Sequence, residues 1–256
     1  MNLLVFDSGI GGLGVVREIR RLQPAARITY LADNGFFPYG EKPDAVLLPH
    51  IVALIGQALA RFQPDAVVVA CNTASTIALA ALREAYAGVP FIGCVPPIKP
   101  AAAASRTRHI GVLATAATVR RAYLQNLIDR FAPDYAVHSL GTPSLAELAE
   151  RKFRGEAVDV APAIAPLFAQ PGAREIDAIA LGCTHYTFLL PEFKALYPNI
   201  SWFDPAAPVA RQVLAVTSDL AGSEGEDVAV FTAPAADTGM PARLLEFGLK
   251  QSLFKS

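Results

Sequence analysis

Two cysteines carry the chemical signal in this sequence. Cys71 closes the apolar run Val67-Val68-Val69-Ala70 and is followed by Asn72-Thr73-Ala74-Ser75; Cys183 closes Ala178-Ile179-Ala180-Leu181-Gly182 and is followed by Thr184-His185-Tyr186. In each case a strand-like segment runs into the polar caps that open a helix. A sulfur at that place has unpaired N–H donors and the positive end of the helix dipole beside it, which favours the thiolate. The same donors can hold a carboxylate. A lone buried cysteine is otherwise a small hydrophobe, and Cys94 in Ile92-Gly93-Cys94-Val95 is read that way. Two alternatives use the same residues. Zinc would accept Cys and His, but Cys183 and His185 supply only two ligands and no second pair of usual spacing follows. A Cys-His nucleophile for acyl transfer would leave one cysteine without a task.

The elements that must hold these residues alternate along the chain. Strands are expected at 2–6, 28–32, 66–70, 91–94, 110–114, 135–139, 178–181 and 201–203, with a late one at 227–231. Helices are expected at 12–22, 44–61, 74–85, 117–131, 144–153, 158–169, 186–195 and 207–214. The strands are too apolar to alternate, as in sheets covered by helices on both faces. The fold class expected is α/β with mostly parallel sheets. A weak repeat near 110 residues sets Leu3–Ser8 against Ile110–Thr115, and Val67–Thr73 against Ala178–Thr184. It implies two similar lobes, with strand C-termini lining a cleft where the active site lies. Breaks at Pro96-Pro97 and near Pro205 predict a first lobe of 1–97 plus 207–256 and a second of 98–206.

Composition narrows the partners. The chain has 256 residues, 53% hydrophobic, with 22 Lys+Arg against 23 Asp+Glu, so no basic excess points to nucleic acid. Three cysteines without a CxxC pair argue for a reducing compartment rather than a disulfide framework. No charge-free apolar run reaches the ~18 residues of a membrane span, and the start reads as a strand rather than a signal peptide. A cytoplasmic protein without membrane or nucleic-acid partners is expected.

Four segments together, Phe6-Asp7-Ser8-Gly9-Ile10-Gly11-Gly12-Leu13, Phe37-Pro38-Tyr39-Gly40-Glu41-Lys42, Ala70–Ser75 and Gly182–Tyr186, resemble the signatures of the glutamate racemase family, in that family's order. The resemblance extends from Phe6 to about Phe203 and more faintly to the C-terminus. It implies a two-lobed α/β fold, no cofactor, and inversion of glutamate to supply the D-isomer for peptidoglycan; no metal is expected, from the ligand spacing above. It also implies a homodimer, although no exposed heptad or patch in the sequence marks an interface.

The chemistry suits the residues. Inverting a carbon that bears hydrogen needs a base on one face and an acid on the other, and two thiols can exchange those roles. The resemblance further implies that Asp7 and Asp33 assist Cys71, and that His185 and Glu150 assist Cys183. Asp7, Ser8, Tyr39, Gly40, Asn72, Thr73, Thr115, Thr118, Thr184 and His185 would contact substrate. Capping or turn roles explain several of these equally well, and Glu147 lies one turn from Glu150. An aspartate racemase or related cofactor-independent racemase, and an amino-acid-binding relative that keeps the cleft without catalysis, are the alternatives; rotation assays on L-glutamate and L-aspartate separate them.

Overall fold

Runs in which every residue is buried, such as Asn2–Asp7 and Ala178–Gly182, need cover on both faces, and this demand organises the chain. The structure, a computed structural model, describes residues 1–222, 225–234 and 238–254. The expected C-terminal return therefore includes 223–224, 235–237 and 255–256, which lie outside the described residues. Two units emerge, Met1–Cys94 with Ala206–Ser256, and Val95–Pro205.

The first unit alternates β1 (Asn2–Asp7), α1 (Leu13–Leu22), β2 (Arg27–Ala32), α2 (Asp44–Phe62), β3 (Ala66–Val69), α3 (Asn72–Ala85) and β4 (Phe91–Gly93). The second holds α4 (Ile98–Ala104), β5 (His109–Ala114), α5 (Ala116–Val119), α6 (Ala122–Phe131), β6 (Ala136–Gly141), α7 (Ser144–Phe153), α8 (Ala161–Phe168), β7 (Ala178–Gly182), α9 (Leu190–Leu196) and β8 (Ser201–Phe203). The chain then returns to the first unit with α10 (Ala206–Val216), β9 (Val228–Phe231), α11 (Met240–Leu245) and β10 (Lys250–Leu253).

Both sheets are parallel throughout. The first runs β10-β9-β2-β1-β3-β4 and the second β6-β5-β7-β8. The order β2-β1-β3-β4 thus recurs as β6-β5-β7-β8. Register makes the repeat specific: Phe6 pairs with Val69 in the first sheet, and Leu113 with Leu181 in the second. Two residues beyond Val69 is Cys71, and two beyond Leu181 is Cys183. Equivalent strands therefore deliver the two thiols.

Each sheet has its own core. In the first unit α2 turns Leu47, Ile51, Leu54, Ile55 and Ala58 onto Leu4, Phe6, Val67 and Val69. Each large side chain so buried stabilises by roughly 2 kcal/mol. By length and composition α2 is the one described helix apolar enough to cross a membrane; here that apolar face is used in the core. The second unit gathers Ile110, Val112, Ala178 and Ala180 against Ile98, Ala101 and Leu124.

The structure departs from the sequence pattern in four places. The helix expected at 117–131 is two, because Arg121 is extended (φ −83°, ψ 140°) and caps α6. The apolar positions on either side keep helical spacing, which hides the break. The helix expected from Tyr186 starts as a 3-10 segment, Thr184–Leu189, before α9. The helix expected from Val158 begins at Ala161. Finally α4, α11 and β10 were not expected as elements. β10 reads Lys-Gln-Ser-Leu, with no strand pattern, and exists through its parallel pairing with β9.

Candidate functional site

In the first unit the sharp passage from β3 to α3 sets Cys71 against the backbone N–H groups of the first turn of α3. Cys71 is the N-cap of α3, and its Sγ accepts from the Ala74 N–H at 3.5 Å. Ser8, at the end of β1, brings its Oγ to 3.7 Å from the same sulfur. Asp7, fully buried, accepts from Ser8 Oγ at 3.4 Å and from the Gly9 N–H at 3.1 Å. Gly12 permits this convergence: a Cβ there would stand 3.0 Å from the Asp7 Cβ and 3.1 Å from the Ala70 Cβ. A backbone donor and the positive end of the helix dipole thus both face the sulfur.

Asn72 and Thr73 occupy the first turn of α3 and are both buried. Among the described residues, neither the amide oxygen nor the amide nitrogen of Asn72 has a hydrogen-bond partner. A buried amide left unpaired is costly, and a ligand offering both a donor and an acceptor removes that cost. The orphan lies next in sequence to Cys71.

Asp33 follows β2 and anchors a second cluster. Its Oδ2 accepts from the Tyr39 hydroxyl at 2.5 Å and lies 2.6 Å from His50 Nε2; its Oδ1 accepts from Thr232 Oγ1 at 2.7 Å. Burial, then the charge of Asp33 and its hydrogen bond, then Cys71 and Asp7, push the Tyr39 phenol far above its usual range. Tyr39 is therefore a neutral hydroxyl at any working pH. Gly40 is half-buried in the same 3-10 turn, Tyr39–Glu41.

The second unit surrounds its cysteine differently. Cys183 leaves β7 in extended geometry (φ −148°, ψ 130°) and its side chain caps nothing. Its Sγ lies 3.9 Å from His185 Nδ1, and His185 Nε2 lies 3.1 Å from Glu150 Oε1 on α7. In the tautomer whose Nε2–H donates to the carboxylate, Nδ1 turns its lone pair toward the thiol. Glu147, the neighbouring candidate, is exposed instead. Tyr186, wholly buried, donates to the Thr142 carbonyl at 3.0 Å; burial and then Cys183 raise its phenol above the usual range. Thr115 caps α5 through the Thr118 N–H at 3.2 Å, and the two hydroxyl oxygens lie 3.0 Å apart. Thr184 is buried beside Cys183 in the chain. Gly182 is required here, since a Cβ would come within 2.9 Å of the Ala114 Cβ.

The structure thus gathers Asp7, Ser8 and Cys71 in the first unit, with Tyr39, bonded to Asp33, in the same core as Cys71, and Cys183, His185 and Glu150 in the second unit. Cys94 is buried, its N–H bound to the Ser75 hydroxyl at 2.9 Å, as its reading as a structural residue requires. Among the described residues, no three His, Cys, Asp or Glu side chains gather as a metal ion would need. Sequence reasoning missed His50 and Thr232. A signal existed for both. His50 sits three residues after Leu47 and four before Leu54 on the core stripe of α2, and Thr232 follows β9 as Asp33 follows its neighbour β2.

The family model for Asp/Glu/hydantoin racemase matches residues 14–213. The chain belongs to this family. Among its relatives, a glutamate racemase of Granulibacter bethesdensis is 48% identical over 91% of this chain and 84% of its own length. One of Brucella ovis is 42% identical over 97% and 92%. Escherichia coli glutamate racemase, solved in complex with L-glutamate and the activator UDP-MurNAc-Ala, superposes with a TM-score of 0.90 at 37% identity, covering 98% of this chain and 97% of that one. Glutamate racemase isoform RacE1 from Bacillus anthracis superposes with a TM-score of 0.84 at 28% identity, covering 99% of this chain and 97% of that one. The fold and family implied by the four sequence motifs are those found.

Proposed function

We propose that this chain is a glutamate racemase in which Cys71 and Cys183 are the two acid–base groups. One observation carries the mechanism: equivalent strands of two repeated sheets each end in a buried cysteine with proton-handling or hydrogen-bonding neighbours. Relatives 41–48% identical to this chain are glutamate racemases, which supports glutamate over aspartate.

The proton count is simple. One cysteine, as thiolate, removes the α-proton and becomes a thiol; the other, as thiol, gives a proton to the opposite face and becomes a thiolate. The reverse reaction exchanges the roles. Between the two transfers the carbon carries negative charge that no cofactor of this proposal delocalises, so fixed donors around the substrate carboxylate must stabilise it. Asn72, Thr73, Ser8, Thr115, Thr118 and Thr184 are the groups we assign to substrate, with Tyr39 and Gly40 shaping the site. Asp7 and Asp33 assist Cys71, while Glu150 orients His185 beside Cys183. His185 doubles as proton partner and substrate contact.

D-glutamate made in this way serves peptidoglycan. All three cysteines are free, which supports a reducing compartment such as the cytoplasm. A homodimer is proposed on the family resemblance alone, and sedimentation of the pure chain tests it. The function itself is tested by polarimetry on L-glutamate and L-aspartate, with α-hydrogen exchange in deuterated water. Racemisation of glutamate with exchange is the expected result. Faster turnover of aspartate overturns the substrate, and tight binding without exchange overturns the activity.

A further inference from the structure

His50 is a polar side chain on an apolar stripe, and its surroundings say what it does there. Its ring stacks on Phe36 (centroids 4.1 Å apart, planes at 18°), and the Lys42 ammonium lies 4.8 Å over that Phe36 ring. Its Nε2 points at Asp33 Oδ2, the oxygen that also receives the Tyr39 hydroxyl. Asp33 is nearly sealed from solvent, whereas the His50 side chain is 32% exposed. As an acceptor-only carboxylate, Asp33 takes all three donors: His50, Tyr39 and Thr232. With its only hydrogen given to Asp33, the Tyr39 oxygen keeps its lone pairs for other donors. Tyr39 shares a core with Cys71, whose charge it feels.

We propose that His50 is a positioning residue for the Cys71 half of the reaction, acting through Asp33 on the Tyr39 hydroxyl. Resting on the two-thiol reading above, this adds a residue to only one of the two half-reactions. Removing the imidazole takes one of three hydrogen bonds from a buried carboxylate and leaves Tyr39 as the sole donor on Oδ2. Asp33 and Tyr39 then relax together, and the consequence falls on Cys71. Cys183 belongs to a separate network, His185 and Glu150, that His50 does not touch.

An isotope experiment separates positioning from simple structural support. The equilibrium constant of a racemase is one, so kcat/KM falls equally in both directions whichever thiol is impaired. Deuterium at the α-carbon does distinguish them. The variant His50→Leu should lose about tenfold in kcat/KM, as expected for a missing hydrogen bond to a charged group. Its substrate isotope effect should rise with the glutamate enantiomer deprotonated by Cys71 and fall with the other. Asp33→Asn should skew the effects in the same sense and Glu150→Gln in the opposite sense. His50→Gln, whose amide nitrogen can stand close to the lost Nε2, should restore most of the rate and remove the skew; it also keeps the test open should the leucine variant fold poorly. An unchanged rate in His50→Leu, or a slower enzyme with unskewed isotope effects, overturns the proposal. Full activity in Cys71→Ser overturns instead the two-thiol reading itself.

Discussion

Cys71 and Cys183 occupy the same place in two copies of one strand order, yet they are equipped differently. Around Cys71 the sulfur caps a fourteen-residue helix, accepting from the Ala74 N–H with a serine hydroxyl alongside. Around Cys183 the helix opens as a 3-10 turn, the sulfur caps nothing, and an imidazole backed by a carboxylate stands beside it. The first arrangement offers the sulfur fixed dipoles, and the second a group that itself takes a proton. A duplicated scaffold thus carries two unlike solutions to one task, so matched substitutions should produce unmatched effects.

The largest effects test what the two sites share. Cys71→Ser and Cys183→Ser should each lower kcat for glutamate by about 10³-fold or more, because an alcohol is a far weaker acid than a thiol. A variant retaining a tenth of the wild-type rate would break the symmetry at its root. The next effects test the difference. His185→Asn should cost about 10²-fold in kcat, while Ser8→Ala on the other side should cost only a few-fold, since backbone donation to Cys71 survives it. Equal losses would show that the sites are equipped alike.

Asn72→Ala addresses the orphaned amide. It should raise the KM for glutamate about tenfold, yet leave the melting temperature unchanged or higher, because the free protein gains nothing from a buried, unpaired group. A fall in stability with KM unaltered would mean that the amide is satisfied within the protein. The smallest effect concerns a pair confined to the second unit. His138 stacks with His109, their ring nitrogens 3.2 Å apart; burial first and the His109 charge second lower its pKa from 6.5, with Gln170 opposing. The unfolded chain then binds a proton more readily than the folded one. Stability is full above pH 6.5 and should decline as pH falls below it. Thermal melts between pH 8 and 5 should show this slope, and His138→Gln should flatten it.

Much of this was legible in the sequence, because strands buried on both faces write themselves as apolar runs and their ends carry the chemistry. Cys71 and Cys183 could be placed from that pattern, whereas Asp7 was named through the family resemblance, and the repeat of strand order was foreshadowed by the echo of Val67–Thr73 in Ala178–Thr184. What the pattern concealed depends on partners distant in sequence. β10 has no strand signature of its own and is held by β9. The link from His50 to Asp33 spans a strand-to-helix connection, and Thr232 reaches the same carboxylate across 199 residues. The choice of Glu150 over Glu147 needed the helix phase of α7 relative to His185, which spacing alone leaves open.

The interrupted first unit has a consequence for synthesis. Its β9 pairs with β2, and α10 packs against α1, so its sheet is closed by residues made about 200 positions after β2. The whole of Val95–Pro205, by contrast, is contiguous. A ribosome releasing the chain from its N-terminus therefore completes the later unit before the earlier one, since loop closure must await the far segment. Nascent chains halted shortly after Pro205 clears the exit tunnel should resist protease across the middle of the sequence while Met1–Cys94 is still cut.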